Sequence, residues 1–199
     1  MKNLFLAAFF IGTGFTYAQQ CSDVATKEVQ KKLNEEYSNP KISPLPKKEL
    51  KKFKSLDFFA VNLKYCVTAT VTRTPNEKPF YMATTDGRKS QYIKYGEAHF
   101  TIDGKPYKLN VYQSMSLMQK EEYKDYLFLP FTDDTNSETT YSGGRYIDLK
   151  LPTTNTLQID FNRAYNPYCA YNHDYSCPIP PRDNYLETKI EAGVKAYKK

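Results

Sequence analysis

At 199 residues, with 40% apolar side chains, the chain is long enough to bury a real core in one domain. Its 28 basic and 22 acidic residues leave a formal charge of +6, too mild, without any nucleic-acid motif, to point to a nucleic-acid partner. Tryptophan is absent, but 18 tyrosines and 12 phenylalanines lean the composition towards strands, where aromatic rings fit a pleated surface.

In chain order, the first feature is an export signal. Lys2 supplies the positive start, Leu4 to Phe15 an apolar run, and Thr16-Tyr17-Ala18 the small residues of a cleavage site, so residues 1–18 read as a leader and 19–199 as the mature domain. The run is too short to span a bilayer, and Gln20 in front of Cys21 argues against a lipid anchor there. The expectation is an exported protein, periplasmic or extracellular, without a transmembrane segment. Export permits disulfides, and Cys21, Cys66, Cys169 and Cys177 allow three full pairings. The turn-rich loop between Cys169 and Cys177 favours a local bridge of roughly 2–3 kcal/mol, which leaves Cys21–Cys66 to tie the N-terminal helix to a strand.

Ser22 is a suitable N-cap, and Ala25, Val29, Leu33 and Tyr37 follow at four-residue spacing, which predicts an amphipathic helix ended by Asn39-Pro40. Pro46 opens a short lysine-rich helix to about Ser55, whose charges read as a solvated face. The period then changes to two. Leu63, Tyr65, Val67, Ala69 and Val71 mark a strand with one buried face. Phe80 to Thr84 is followed by the turn signal Asp86-Gly87, and Gln91 to Ile102 is joined to Pro106 to Ser114 by Asp103-Gly104. Tyr126 to Phe131, Tyr146 to Leu151 and Leu157 to Phe161 complete the strands. The fold class expected is mainly β (α+β): an antiparallel β-sandwich or barrel with an N-terminal helical arm. An irregular, disulfide-pinned segment, Asp160 to Asn184, rich in proline, asparagine and tyrosine, closes it.

Several phrases carry a resemblance. They are Asn39-Pro40 with Ser43-Pro44-Leu45, Leu56-Asp57-Phe58-Phe59, Phe128-Leu129-Pro130-Phe131-Thr132-Asp133, Thr140-Tyr141 with Gly143-Gly144-Arg145-Tyr146-Ile147-Asp148, and the run Asp160 to Asn184. Over nearly all of the mature chain the sequence resembles the bacterial and archaeal domain-of-unknown-function family numbered sixteen eighty-four. The resemblance implies one domain of about this length and carries over no established activity. The chain departs from the family pattern in the loop after Phe131: the family has a glycine after a Thr-Asn or Thr-Ser step, whereas here Ser137 follows Asn136, which bears on the tightness of that turn.

Two motifs combine polar groups with conformational constraint. In the first, Gly143-Gly144 permits close backbone approach, and Arg145 offers a rigid fork for a carboxylate or phosphate, with Asp148 nearby. In the second, Asp160 and Asn162 share one side of a strand and lead into Arg163, Tyr165 and Asn166. One reading gathers Arg145, Asp148, Asp160, Asn162, Arg163, Tyr165 and Asn166 around a pocket for a small polar or anionic ligand. The competing reading pairs Arg145 and Arg163 with Asp148 and Asp160 inside the protein, the asparagines capping irregular backbone. Tyr141, Tyr146, Tyr165, Tyr168, Tyr171, Tyr175 and Tyr185 are either a sugar- or peptide-binding surface or packing under a long loop.

Neither metal nor cofactor is expected. Cys169, His173 and Cys177 lack a fourth zinc ligand, and Asp133, Asp134, Asn136 and Glu138 lack EF-hand spacing. Nucleophile elbow and zincin motifs are absent. The leading expectation is a non-catalytic exported binding protein. The alternatives are a hydrolase using Asp148 and Asp160, and a structural or envelope-associated protein without a ligand site.

Overall fold

The structure, a computed structural model, describes residues 21–198; the leader read at residues 1–18 lies outside the described residues. Helix α1 (Asp23–Ser38) begins where expected, with Ser22 Oγ accepting from the Ala25 N–H at 3.0 Å. Its buried stripe differs from the expected one. Thr26 and Tyr37 are buried, whereas Val29 is exposed, because α1 packs with Thr26 and Gln30 against a polar part of the C-terminal segment. The lysine-rich helix is a single turn, α2 (Lys47–Leu50).

Strands β1 (Cys66–Arg73), β2 (Phe80–Met82), β3 (Ser90–Ile102), β4 (Lys105–Ser114), β5 (Tyr126–Asp133), β6 (Arg145–Lys150), β7 (Thr156–Asp160) and β8 (Tyr185–Leu186) form one curled sheet, a half-barrel. The order is β6-β5-β4-β3-β1-β7, with β2 added on β3 and β8 lying parallel on β5. All pairings other than β5–β8 are antiparallel. The Asp103-Gly104 hairpin forms as read, both residues at positive φ (51° and 78°), as a turn matched to strand twist requires. The first strand starts later than expected. Leu63–Tyr65 is a 3-10 turn capped by the Asn62 side chain, and Leu63 is exposed.

Alternation divides the sheet. The concave side buries Val67, Ala69 and Val71 from β1, Leu109 and Val111 from β4, Leu127, Leu129 and Phe131 from β5, and Ile147 and Leu149 from β6. The other side carries a second cluster built on Tyr92, Tyr112, Phe128 and Tyr146. Strand β3 contributes to both because it is bulged. Lys94 opposes Tyr112 and Gly96 opposes Val111, so Tyr95 is one residue extra and the parity of side chains reverses there. Tyr92 therefore faces out, and Ala98, Phe100 and Ile102 face the core.

The Cys21–Cys66 bond forms as expected, with Cα atoms 5.9 Å apart, and it joins the head of α1 to β1. The C-terminal segment is not pinned by a disulfide. Cys169 and Cys177 are buried free thiols, the Cys169 N–H donating to Cys177 Sγ at 3.2 Å. Polar contacts hold the segment instead. Asn184 sits where β4 and β5 pair poorly: its Oδ1 accepts from the Asn110 N–H at 2.9 Å, and its Nδ2 donates to the carbonyls of Asn110 (2.8 Å) and Pro130 (2.7 Å).

Arg145 is fully buried. Its guanidinium lies 2.7 Å from Asp133 Oδ2, donates to the Ile190 carbonyl at 2.9 Å and to the Ala192 carbonyl, and lies over the Phe131 ring. Asp133 Oδ1 accepts from the Thr135 N–H and hydroxyl at 2.8 and 2.6 Å. Gly144, at φ +87°, makes this entry possible, since a Cβ there would lie 2.6 Å from the Phe131 carbonyl oxygen and 2.7 Å from Pro180. In the loop that Asp133 begins, Ser137 takes φ +70°, the left-handed region in which a side chain costs about 1–2 kcal/mol. The turn is nonetheless closed, by the Ser137 N–H donating to the Thr140 carbonyl at 3.1 Å.

Removing one partner of so enclosed a pair strands the other charge. Arg145→Ala is expected to destabilise by about 3–5 kcal/mol in urea unfolding. Combining Arg145→Met with Asp133→Asn should recover part of that loss, and an Arg145→Ala protein of unchanged stability would refute the role given to the pair.

Candidate functional site

A cavity of about 580 Å³ opens between α1, the outer face of the sheet and the C-terminal segment. Its floor follows from the strand register. Phe128 on β5 stands opposite Asp148 on β6, and Tyr112 on β4 opposite Phe128, so alternation brings these side chains and Tyr126 and Tyr146 to one face. Tyr92 arrives through the bulge. The second wall is α1, with Val29, Leu33 and Glu36. The third is the C-terminal segment, where Tyr165 and Tyr146 exchange both backbone hydrogen bonds (2.9 and 3.0 Å) and thereby hold Tyr165 over the exposed edge of β6.

Asp148 is the polar centre. Its Oδ1 accepts from the hydroxyls of Tyr126 and Tyr165, each at 2.7 Å. The residue is exposed to the cavity, and its carboxylate sits among the cavity's protein walls. That desolvation raises its carboxyl above the ordinary value of 3.8; the two tyrosine hydrogen bonds pull the other way, and the charge of Glu36 adds to the rise. Burial likewise raises the phenols of Tyr126, Tyr146 and Tyr165, and Tyr92 to about 12, so all four stay neutral at ordinary pH. The rings meet at steep angles: Phe128 and Tyr146 at 73° with centroids 4.8 Å apart, Tyr146 and Tyr165 at 89° and 5.9 Å. Tyr146 donates to the Pro178 carbonyl, and Tyr168 donates to Glu36 across the cavity.

The residues singled out from sequence divide into two groups. Asp148, Arg163 and Tyr165 line the cavity. Arg145, Asp160, Asn162 and Asn166 do not. Arg145 points to the opposite side of the sheet and pairs with Asp133, not Asp148. Asp160 lies beneath α1, where it accepts from the Thr26 hydroxyl at 2.7 Å and pairs with Arg163 at 3.1 Å, the one pairing the structural reading anticipated. Asn162 joins Asp160 Oδ1 to the Asn62 backbone, and Asn166 donates to the Lys195 carbonyl and the Tyr171 hydroxyl. Of the tyrosines, Tyr146, Tyr165, Tyr168 and Tyr175 reach the cavity. Among the described residues no three His, Cys, Asp or Glu side chains are placed to share a metal ion, and no helix is long and apolar enough to cross a membrane.

Sequence reasoning missed Tyr92, Tyr126, Phe128 and the contribution of α1. A signal was available for β5. Tyr126-Leu127-Phe128-Leu129-Pro130-Phe131 is apolar without alternation, the mark of a strand covered on both faces.

The model of the family described as "Protein of unknown function (DUF1684)" matches residues 51–195. That span includes the sheet and Tyr165 but not α1. A solution NMR structure of an uncharacterised protein of Haloarcula marismortui is similar, with 31% identity, a TM-score of 0.67 and coverage of 86% of this chain and 92% of that one. Among curated proteins none matches.

The direction of the Asp148 shift fixes a pH dependence. A carboxyl held high in the folded state favours the fold when protonated, so its contribution is fully present below about pH 4 and is lost as pH rises through the raised value. Melting curves of wild type and Asp148→Asn across pH 3–8 should show the wild type losing relative stability as pH rises. A relative gain would mean that the tyrosine hydrogen bonds outweigh burial.

Proposed function

The chain belongs to the DUF1684 family of proteins of unknown function, and we propose that this member binds a small ligand, without chemical turnover, in the cavity beneath α1. The observation that carries this reading is the setting of Asp148: a carboxylate open to solvent on one side, fixed by the hydroxyls of two half-buried tyrosines, in a recess walled by aromatic rings. Apolar walls with a few fixed polar groups are the usual make-up of a small-molecule site, and the volume lies within the usual range. The polar end of the ligand meets Asp148 rather than Arg145, whose charge Asp133 already neutralises. The hydrolase alternative loses support, since Asp160 is held by Thr26 and Arg163 away from the cavity.

An oxidising compartment goes with this reading. The Cys21–Cys66 bond and the leader-like residues 1–18 both favour export. There Cys169 and Cys177 would close a second bond by exchange with an oxidising disulfide, which takes up the two protons and two electrons the thiols release. Their proximity supports this, as does the low affinity of Cys169 for its proton: the Cys177 thiol donates to its sulfur and holds it below the ordinary thiol range.

Thermal-shift measurements on residues 19–199 against amines, sugars, nucleosides and organic acids test the binding reading. A ligand at about 100 times its Kd adds roughly 2.7 kcal/mol, a shift of about 5–10 °C for a chain this long. The shift should vanish in Tyr165→Phe/Asp148→Ala protein, and no shift with any class would sink the proposal. Alkylation of the exported, denatured, unreduced protein should modify no cysteine. Two modified thiols would refute the second bond, and four would refute the oxidising compartment.

A further inference from the structure

We propose that the cavity selects an organic cation, a primary or quaternary ammonium head on an apolar body, with Asp148 as its counter-ion and the surrounding rings as its cage. The proposal rests on the reading that the cavity binds a ligand and adds the charge that ligand carries.

The first argument is an unmatched charge. Both tyrosine hydroxyls go to Asp148 Oδ1; among the described residues Oδ2 accepts no hydrogen bond, and no basic group lies within ion-pair distance of either oxygen. Glu36, on the facing wall, also lacks a basic partner among the described residues and takes only the Tyr168 hydroxyl. Two basic residues do line the cavity. Arg163 is engaged by Asp160 at 3.1 Å, and Lys32 is exposed on α1. Among the described residues the cavity therefore presents two carboxylates against one cation not engaged by a carboxylate, Lys32 at its rim. An anionic ligand would meet like charge. A neutral one would remove water from Asp148 and leave its charge unanswered, which is costly in a partly desolvated site. A cation answers it.

The second argument is independent of charge counting. Aromatic faces carry negative potential, and a cation enclosed by several of them is attracted to each. Phe128, Tyr146 and Tyr165 stand almost perpendicular in sequence around Asp148, with Tyr92 tilted 30° to Phe128 at 5.6 Å, so the rings form the corner of a box and not a flat stack. Their phenols stay protonated, so the box keeps its ring faces and gains no competing phenolate charge.

Three probes with one body and three charges decide the question: 2-phenylethylammonium, 2-phenylethanol and phenylacetate, titrated calorimetrically into the full mature chain, with benzyltrimethylammonium as the quaternary case. The ammonium should bind at least about tenfold tighter than the alcohol, and phenylacetate weakest. Asp148→Asn should remove that advantage while changing the affinity for the alcohol less than about twofold. Because that variant could fold poorly, the wild type supplies a second readout. Affinity for the ammonium should fall as pH drops through the Asp148 pKa, where Tyr126, Tyr146 and Tyr165 stay neutral; the charged groups that share the cavity with it are Glu36, Lys32 and Arg163. Equal or tighter binding of the alcohol or of phenylacetate would overturn the cation assignment and leave the ligand-binding reading standing. Failure of every probe of every charge would overturn both.

Discussion

A guanidinium buried beyond the reach of water needs protein partners for its charge, and the contacts that Arg145 makes organise much of this molecule. Asp133 neutralises it, and Thr135 and Ile190 bind the same carboxylate. The carbonyls of Ile190 and Ala192 accept from its terminal nitrogens, while Nε finds no hydrogen-bond partner among the described residues. Three stretches thus close on one charge: the end of β5, the start of β6 twelve residues later and, far along the sequence, the chain near residue 190. The strained Ser137 turn and the tight Gly144 passage serve this closure. A buried ion pair is a weak source of net stability, but it tolerates few alternative arrangements, and specificity of that kind is what an irregular C-terminal segment needs.

With that segment fixed, β6 can face two ways. Arg145, Ile147 and Leu149 point into the core, while Tyr146 and Asp148 point outward. Tyr165 pairs with Tyr146 through the backbone and reaches Asp148 with its hydroxyl, so the contact that covers the sheet edge also builds the cavity. Asn184 performs a comparable task at Pro130, which has no N–H to give to β4. Side chains of the closing segment do here what strand pairing does elsewhere.

Much of the frame was legible in the sequence. Period-two runs, the Asp103-Gly104 turn and the Ser22 cap follow from local rules, and the family resemblance rests on motifs that the match over residues 51–195 supports; the Cys21–Cys66 bond, 45 residues apart, is reached only as the pair left over from a Cys169–Cys177 bridge that the structure does not contain. The candidate site was legible in part. Asp148, Arg163 and Tyr165 were named, but they were grouped with Arg145, although a strand that carries both positions three apart must send them to opposite faces. Asp133 could not be matched to Arg145 by any periodicity, because a loop joins them. The polar stripe of α1, Thr26 and Gln30, carried no apolar signal, since its partners are Asp160 and the Asn162 backbone. The bulge at Tyr95 was invisible for the same reason: both halves of β3 read as good strand, and only their partners reveal the change of parity.

That single extra residue has an evolutionary consequence. On an unbroken strand, one set of alternating positions would face the core along its whole length, and the hollow would lose Tyr92. With the bulge, the first half of β3 belongs to the recess and the second half to the interior, so substitutions in one do not disturb the packing of the other. Descendants of such a protein can reshape the recess by altering Tyr92 and its outward neighbours, while Ala98, Phe100 and Ile102 keep the core packing. Diversification and conservation are thereby assigned to different ends of the same strand.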